Sequence, residues 1–160
     1  MEEDQKDNDL FFVCSLIEHI ARKTKNTKKY VVEKLGKENV KKIYELAEVY
    51  HSENLEKVSD EFIEKCKIVN SNYDTVSKCK YRVPTIWELG RIYQRLIIMV
   101  NNNKDEYIDT LLEILSSWII PKIDNYNSSM YYENPDYIYE CYIEKKKNLK
   151  IKRLEELNEK

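Results

Sequence analysis

Glycine and proline are almost missing from this chain: two glycines and three prolines stand in 160 residues. Sheet proteins need turn formers every few residues, so the shortage argues for long helices joined by few tight turns. With only Gly36 and Gly90 available, a glycine-rich phosphate loop is excluded. Histidine is nearly as scarce, and His19 and His51 exhaust the side chains that titrate near neutrality without a large shift. Long hydrophobic runs are lacking too. The stretch Leu96 to Val100 reaches five residues, against the roughly 20 that a membrane span requires. The four cysteines (Cys14, Cys66, Cys79, Cys141) include no Cys-x-x-Cys pair, and the acidic start MEEDQKDNDL has neither the basic nor the apolar region of an export signal. Reduced thiols in the cytoplasm are the expectation. A net charge of −2 gives no global attraction to nucleic acid or anionic lipid.

What is present is charge, at 35% of residues, with abundant Glu, Lys, Leu and Ile. Two independent domains would each have about 80 residues, where a core supplies only about 3–5 kcal/mol without a disulfide or metal. One helical domain over 1–143 with a charged helical tail over 144–160 is therefore predicted.

The apolar spacing predicts the elements in turn. Asp9 caps a first helix with Phe12, Val13, Leu16, Ile17 and Ile20 inward and Ser15, Glu18 and Arg22 on the opposite face. Thr27 caps a short second helix that ends on Gly36 as a left-handed C-terminal residue, and a third runs from about Lys37 to Tyr50. Asn54 or Ser59 caps a fourth around Val58 and Phe62. Residues 67–84 have no clear period, and Tyr73 to Cys79 is read as a hidden short helix. Pro84 and Thr85 open a strongly amphipathic fifth helix, Asp105 a sixth, and Pro121 kinks it or restarts it as a seventh segment ending near Tyr126. Asn134 and Pro135 begin the last helix, whose stripe (Ile138, Cys141, Tyr142) fades into a projecting tail. The fold class is all-α, a compact bundle of about six to seven helices with a projecting charged C-terminal helix.

Few residues carry chemistry. Glu48 and His51 form one Glu-x-x-His, the half-motif that di-iron bundles use twice, but no second copy exists. Bundles of the HEPN ribonuclease type need an arginine a few residues ahead of a histidine, and none stands there. No catalytic residue, cofactor or metal is predicted, and the chain reads as a non-enzyme. From Arg22 to Lys42, nine Lys or Arg face two Glu, a local charge of +7. Arg22, Lys23, Lys25, Lys28 and Lys29 are the nucleic-acid candidates within it, although Lys37 stands where a helix-turn-helix needs an apolar residue. Residues 45–64 carry seven acids and residues 105–140 eight, a polarity that suits docking to an oppositely charged protein. Six tyrosines crowd residues 124–142. Of these Tyr131, Tyr132, Tyr137 and Tyr139 are the candidate protein-binding anchors, because an exposed tyrosine contributes contact area at low entropic cost.

The segments FFVCSLIEHIA, Tyr30-Val31-Val32 and AEVYHSENLEKVSDEFI, with Tyr50, His51 and Glu53, resemble a small helical domain of uncharacterised role found in Firmicutes. Genes of that kind often neighbour an ADP-ribosyltransferase-like protein. The resemblance implies a toxin and antitoxin arrangement and brings no catalytic residues. The leading expectation is thus a bacterial protein-binding or regulatory module, antitoxin-like, whose partner is another protein such as the product of a neighbouring gene. A small DNA- or RNA-binding regulator using residues 22–42 is the alternative. No membrane partner is expected, and self-association is left open.

Overall fold

The computed structural model describes residues 4–102, 104 and 106–158, in which eight α-helices and no strand occur. The first helix, α1 (Gln5–Thr24), is the central one: Leu10, Val13, Cys14, Ile17 and Ala21 are buried, and so are Phe12, Leu16 and Ile20. Its cap is Asp4, whose carboxylate accepts the Lys6 N–H at 2.8 Å, rather than Asp9. Nor does α1 keep a polar face, because Ser15 and Glu18 are as buried as the aliphatics. A helix contacted on several sides has no solvent face to assign from its own periodicity.

Two neighbours explain those burials. The fifth helix, α5 (Ile86–Asn101), is started by Thr85, which accepts the Glu88 N–H at 3.0 Å, and crosses α1 at Gly90. A Cβ at Gly90 would run into the Ser15 hydroxyl and come within 3.0 Å of the Ser15 Cα, so this glycine is required by close helix approach. Leu89, Tyr93, Leu96 and Ile97 fill the interior beside that crossing. Glu18 is covered by the second neighbour, α2 (Lys28–Glu45), which Thr27 caps through the Tyr30 N–H at 3.1 Å.

Within α2 the backbone is non-helical at Gly36 (φ 75°, ψ 160°), so one helical stretch ends there and the next begins, as the sequence predicts. The second stretch runs to Glu45 and not to Tyr50. The chain breaks one residue later, at Leu46, before α3 (Ala47–Ser52) and α4 (Leu55–Lys65). Asn54 caps α4, accepting the Glu56 N–H at 2.9 Å.

Residues 67–84 contain no helix at Tyr73 to Cys79. Asp74 instead accepts the N–H groups of Val76 and Ser77 at 3.1 and 3.0 Å and the Ser77 hydroxyl at 2.7 Å, a local alternative that competes with helix formation. The segment is pinned to the end of α1 by Ser71 N–H to Thr24 O and Tyr73 N–H to Lys25 O, both 2.9 Å. After α6 (Ile108–Leu115) the chain turns and α7 (Ile119–Asp124) takes Pro121 in its first turn, where a missing N–H costs nothing. The chain thus restarts as a seventh segment with Pro121 near its beginning, ending at Asp124, close to the expected Tyr126. The Asp105 start expected for α6 lies outside the described residues. A 3-10 turn at Met130–Tyr132 leads to α8 (Pro135–Asn158), with Asn134 accepting the Asp136 N–H at 2.8 Å. Ile138 and Tyr142 of α8 are buried, whereas its residues from Glu144 to Asn158 are exposed although the helix runs on unbroken. Among the described residues no helix is long and apolar enough to cross a membrane.

Candidate functional site

The deepest polar feature joins α1, α2 and α7. Lys28, the first residue of α2, places its ammonium 2.7 Å from Glu18 Oε2 and 2.7 Å from Asp124 Oδ1, with all three side chains 2% exposed. Tyr126 donates to Glu18 Oε1 at 2.9 Å, Arg22 donates to Tyr126 Oη at 3.2 Å, and Tyr73 donates to Asp124 Oδ2 at 3.0 Å. Two carboxylates, one ammonium and one guanidinium balance in charge, the condition under which buried ions are tolerated. Burial opposes the Lys28 charge, but Glu18 and Asp124 outweigh it and hold the ammonium above its usual range. Burial, with repulsion from Glu18, raises Asp124 despite Lys28. Burial and Glu18 likewise push Tyr126 up to about 12, so its hydroxyl stays a donor. A lysine that holds its proton this firmly is a tie between helices, not a base or nucleophile.

This network redistributes the basic stretch. Lys28 is buried and cannot meet a phosphate, and Arg22 is turned toward Glu18 and Tyr126. Lys23 bonds Glu56 at 2.5 Å and Asp60 at 2.6 Å, and Lys25 lies 3.7 Å from Asp74. Further along, Lys37 pairs with Asp109 at 2.8 Å. Of the five nucleic-acid candidates only Lys29 is exposed with no ion pair among the described residues. Much of the +7 visible in sequence is matched by acids distant in the chain, through the buried Lys28 and through surface pairs at Lys23, Lys25 and Lys37. His19 joins the same surface cluster, its Nε2 lying 2.9 Å from Glu56 Oε1.

The candidate tyrosines divide. Tyr132 and Tyr137 are exposed, at 67% and 52%, while Tyr131 and Tyr139 are half-buried against the core. Tyr126, Tyr131 and Tyr132 form an edge-to-face series with centroids 5.7 and 4.9 Å apart, leading from the buried network to the surface. Tyr131 and Tyr139 thus brace the surface more than they present it.

An extended apolar surface lies where α8 leaves the bundle. A groove of about 790 Å³ is lined by Trp118, Tyr142, Ile143 and Leu149 and rimmed by Lys146, Lys147, Lys150 and Arg153. Trp118 comes from the turn between α6 and α7, and the Lys145 ammonium stands 4.4 Å from its ring centroid. Glu113 of α6 anchors the helix, accepting from Tyr142 Oη at 3.1 Å and Lys146 Nζ at 2.6 Å. The Lys146 hydrogen bond, helped by Tyr142, holds the Glu113 carboxyl below its usual range. Beyond this anchor Leu149, Ile151, Leu154 and Leu157 are all exposed, at 43, 53, 52 and 67%. These are aliphatic residues kept on a helix that the bundle does not cover.

Among the described residues no group of three His, Cys, Asp or Glu side chains is arranged to hold a metal ion. Glu48 and His51 are both exposed near the start and end of α3. Comparison of the chain with protein-family models, curated proteins and solved structures finds no match in any of the three.

Proposed function

We propose that this chain is a non-enzymatic protein-binding module that seats an acidic, amphipathic helix of another protein in the groove at the root of α8. The observation that carries the reading is the pairing of an apolar floor with a cationic rim: Ile143, Leu149 and the Trp118 ring supply apolar area, and Lys146, Lys147, Lys150 and Arg153 stand around it. A helix laid into a hydrophobic groove needs apolar anchors, and rim charge selects and steers the partner. An acidic stripe beside the anchors of the incoming helix is the complement of this rim. The resemblance of the first 65 or so residues to a domain encoded beside ADP-ribosyltransferase-like proteins supports an antitoxin-like role, in which that neighbour contributes the helix.

The test is co-elution of the purified chain with the product of the adjacent gene. The wild-type chain and Tyr132→Ala form the complex, whereas Leu149→Asp and the pair Lys150→Glu with Arg153→Glu lose it. No complex, or one indifferent to the groove variants, overturns the proposal. A steep salt dependence of duplex DNA affinity, abolished by Lys29→Glu, would favour the nucleic-acid reading instead.

A further inference from the structure

On another face of the molecule, α1, α3 and α5 enclose a cleft of about 550 Å³ whose walls are aromatic. Phe11 and Trp87 meet edge to face at 5.8 Å, Phe12 and His51 at 5.5 Å, and His51 and Trp87 at 6.1 Å, so four rings stand at steep angles to one another. Trp87 is 37% exposed, an uncommon state for the largest apolar side chain when nothing covers it. Asp9 and Glu48 also line the cleft. Asp9 accepts only the neutral Gln5 amide, at 2.7 Å, and neither carboxylate forms an ion pair among the described residues.

From this geometry we infer that the cleft binds a small organic cation, an alkylated ammonium of the choline type. Rings at steep mutual angles cannot all turn edge-on to one volume, and a quaternary ammonium over an electron-rich ring face is attracted without needing hydrogen bonds. The two carboxylates supply the countercharge. Inorganic cations do not fit, because the walls are mainly carbon and cannot replace a hydration shell. A neutral apolar ligand would leave Asp9 and Glu48 without a use. The volume suits a whole small molecule. Phe11 already shows the preference, since the Arg91 guanidinium carbon lies 3.8 Å from its centroid.

The experiment follows the two indole N–H signals of the ¹⁵N-labelled full chain during titration with choline and, separately, with 3,3-dimethylbutan-1-ol, its uncharged carbon match. Choline is expected to shift the Trp87 signal saturably and leave Trp118 in place, and the alcohol to do neither. Glu48→Gln, an exposed position whose change leaves the fold intact, weakens choline binding several-fold. Trp87→Ala, followed through backbone amides of α1 and α3, weakens it about tenfold, the size of one lost cation–π contact. A Trp87 signal that does not move with choline, that moves equally with the alcohol, or that is unaffected by Glu48→Gln overturns the inference.

Discussion

Lys28 Nζ lies 2.7 Å from Asp124 Oδ1 although 96 residues separate the two in sequence, and both side chains are 2% exposed. This contact, with its twin to Glu18, fastens α2 and α7 to α1. Removing one partner of such a cluster strands the others without solvent, and stranded charge costs more than the intact pair contributes.

Lys28→Met is therefore expected to destabilise the protein by about 3–5 kcal/mol at neutral pH, read from urea unfolding. In the variant, Glu18 and Asp124 face each other with Arg22 as the remaining cation, so the Asp124 carboxyl, already raised by burial and Glu18, loses the Lys28 ammonium that opposed the rise. Stability is then retained at low pH and lost as pH rises, and the deficit against wild type is smaller at pH 5 than at pH 8. A deficit independent of pH would contradict this account of the network.

Gly90→Ala would ordinarily favour a helix by about 1 kcal/mol. Here the added methyl meets the Ser15 side chain and backbone of α1, and the net effect is a loss of about 1–3 kcal/mol. Adding Ser15→Gly removes the hydroxyl and Cβ in the way, so a double-mutant cycle shows favourable coupling. Additive losses would mean that the helices separate instead.

Asp74 is held down to about 2, first by the Ser77 N–H and hydroxyl, then by the Val76 N–H and Lys25. A carboxylate depressed below its unfolded value near 3.9 stabilises the fold above that value and ceases to do so as pH falls through about 2. Asp74→Asn should thus lower the urea midpoint at pH 7, and the gap to wild type should narrow progressively between pH 4 and pH 2.5.

Leu149→Asp should change the melting temperature little, within the roughly 0.5 kcal/mol usual for exposed positions, because Leu149 is 43% exposed. The same substitution removes the proposed complex. A large fall in stability would show that the α8 tail packs on its own bundle in solution.

Chain-local features were legible in the sequence. Thr27, Asn54, Thr85 and Asn134 each cap the helix they were expected to cap, since a cap depends on residues two or three positions away. The apolar residues Val40, Ile43, Ala47, Val58, Phe62, Leu89 and Leu96 point inward as their spacing requires. Asp9 misled because Asp4, one turn earlier, offers the same capping chemistry. Gly36 was legible as the break between two helical stretches, since its positive φ is one that glycine adopts without strain. The groove beside α8 was half legible: its exposed leucines could be counted, but Trp118 and Glu113 reach it from another helix region.

The sequence by itself determined that helices form, where most of them begin, and that one shared interior is apolar, because periodicity and capping are short-range physics. Only the tertiary structure decided which charges are used up. Glu18 and Ser15 read as surface residues until α2 and α5 cover them, and the basic stretch reads as a patch until Glu56, Asp60, Asp74 and Asp124 fold against it. Charge acts on whatever lies within a few ångströms, and that neighbourhood is assembled from parts of the chain that no local pattern connects.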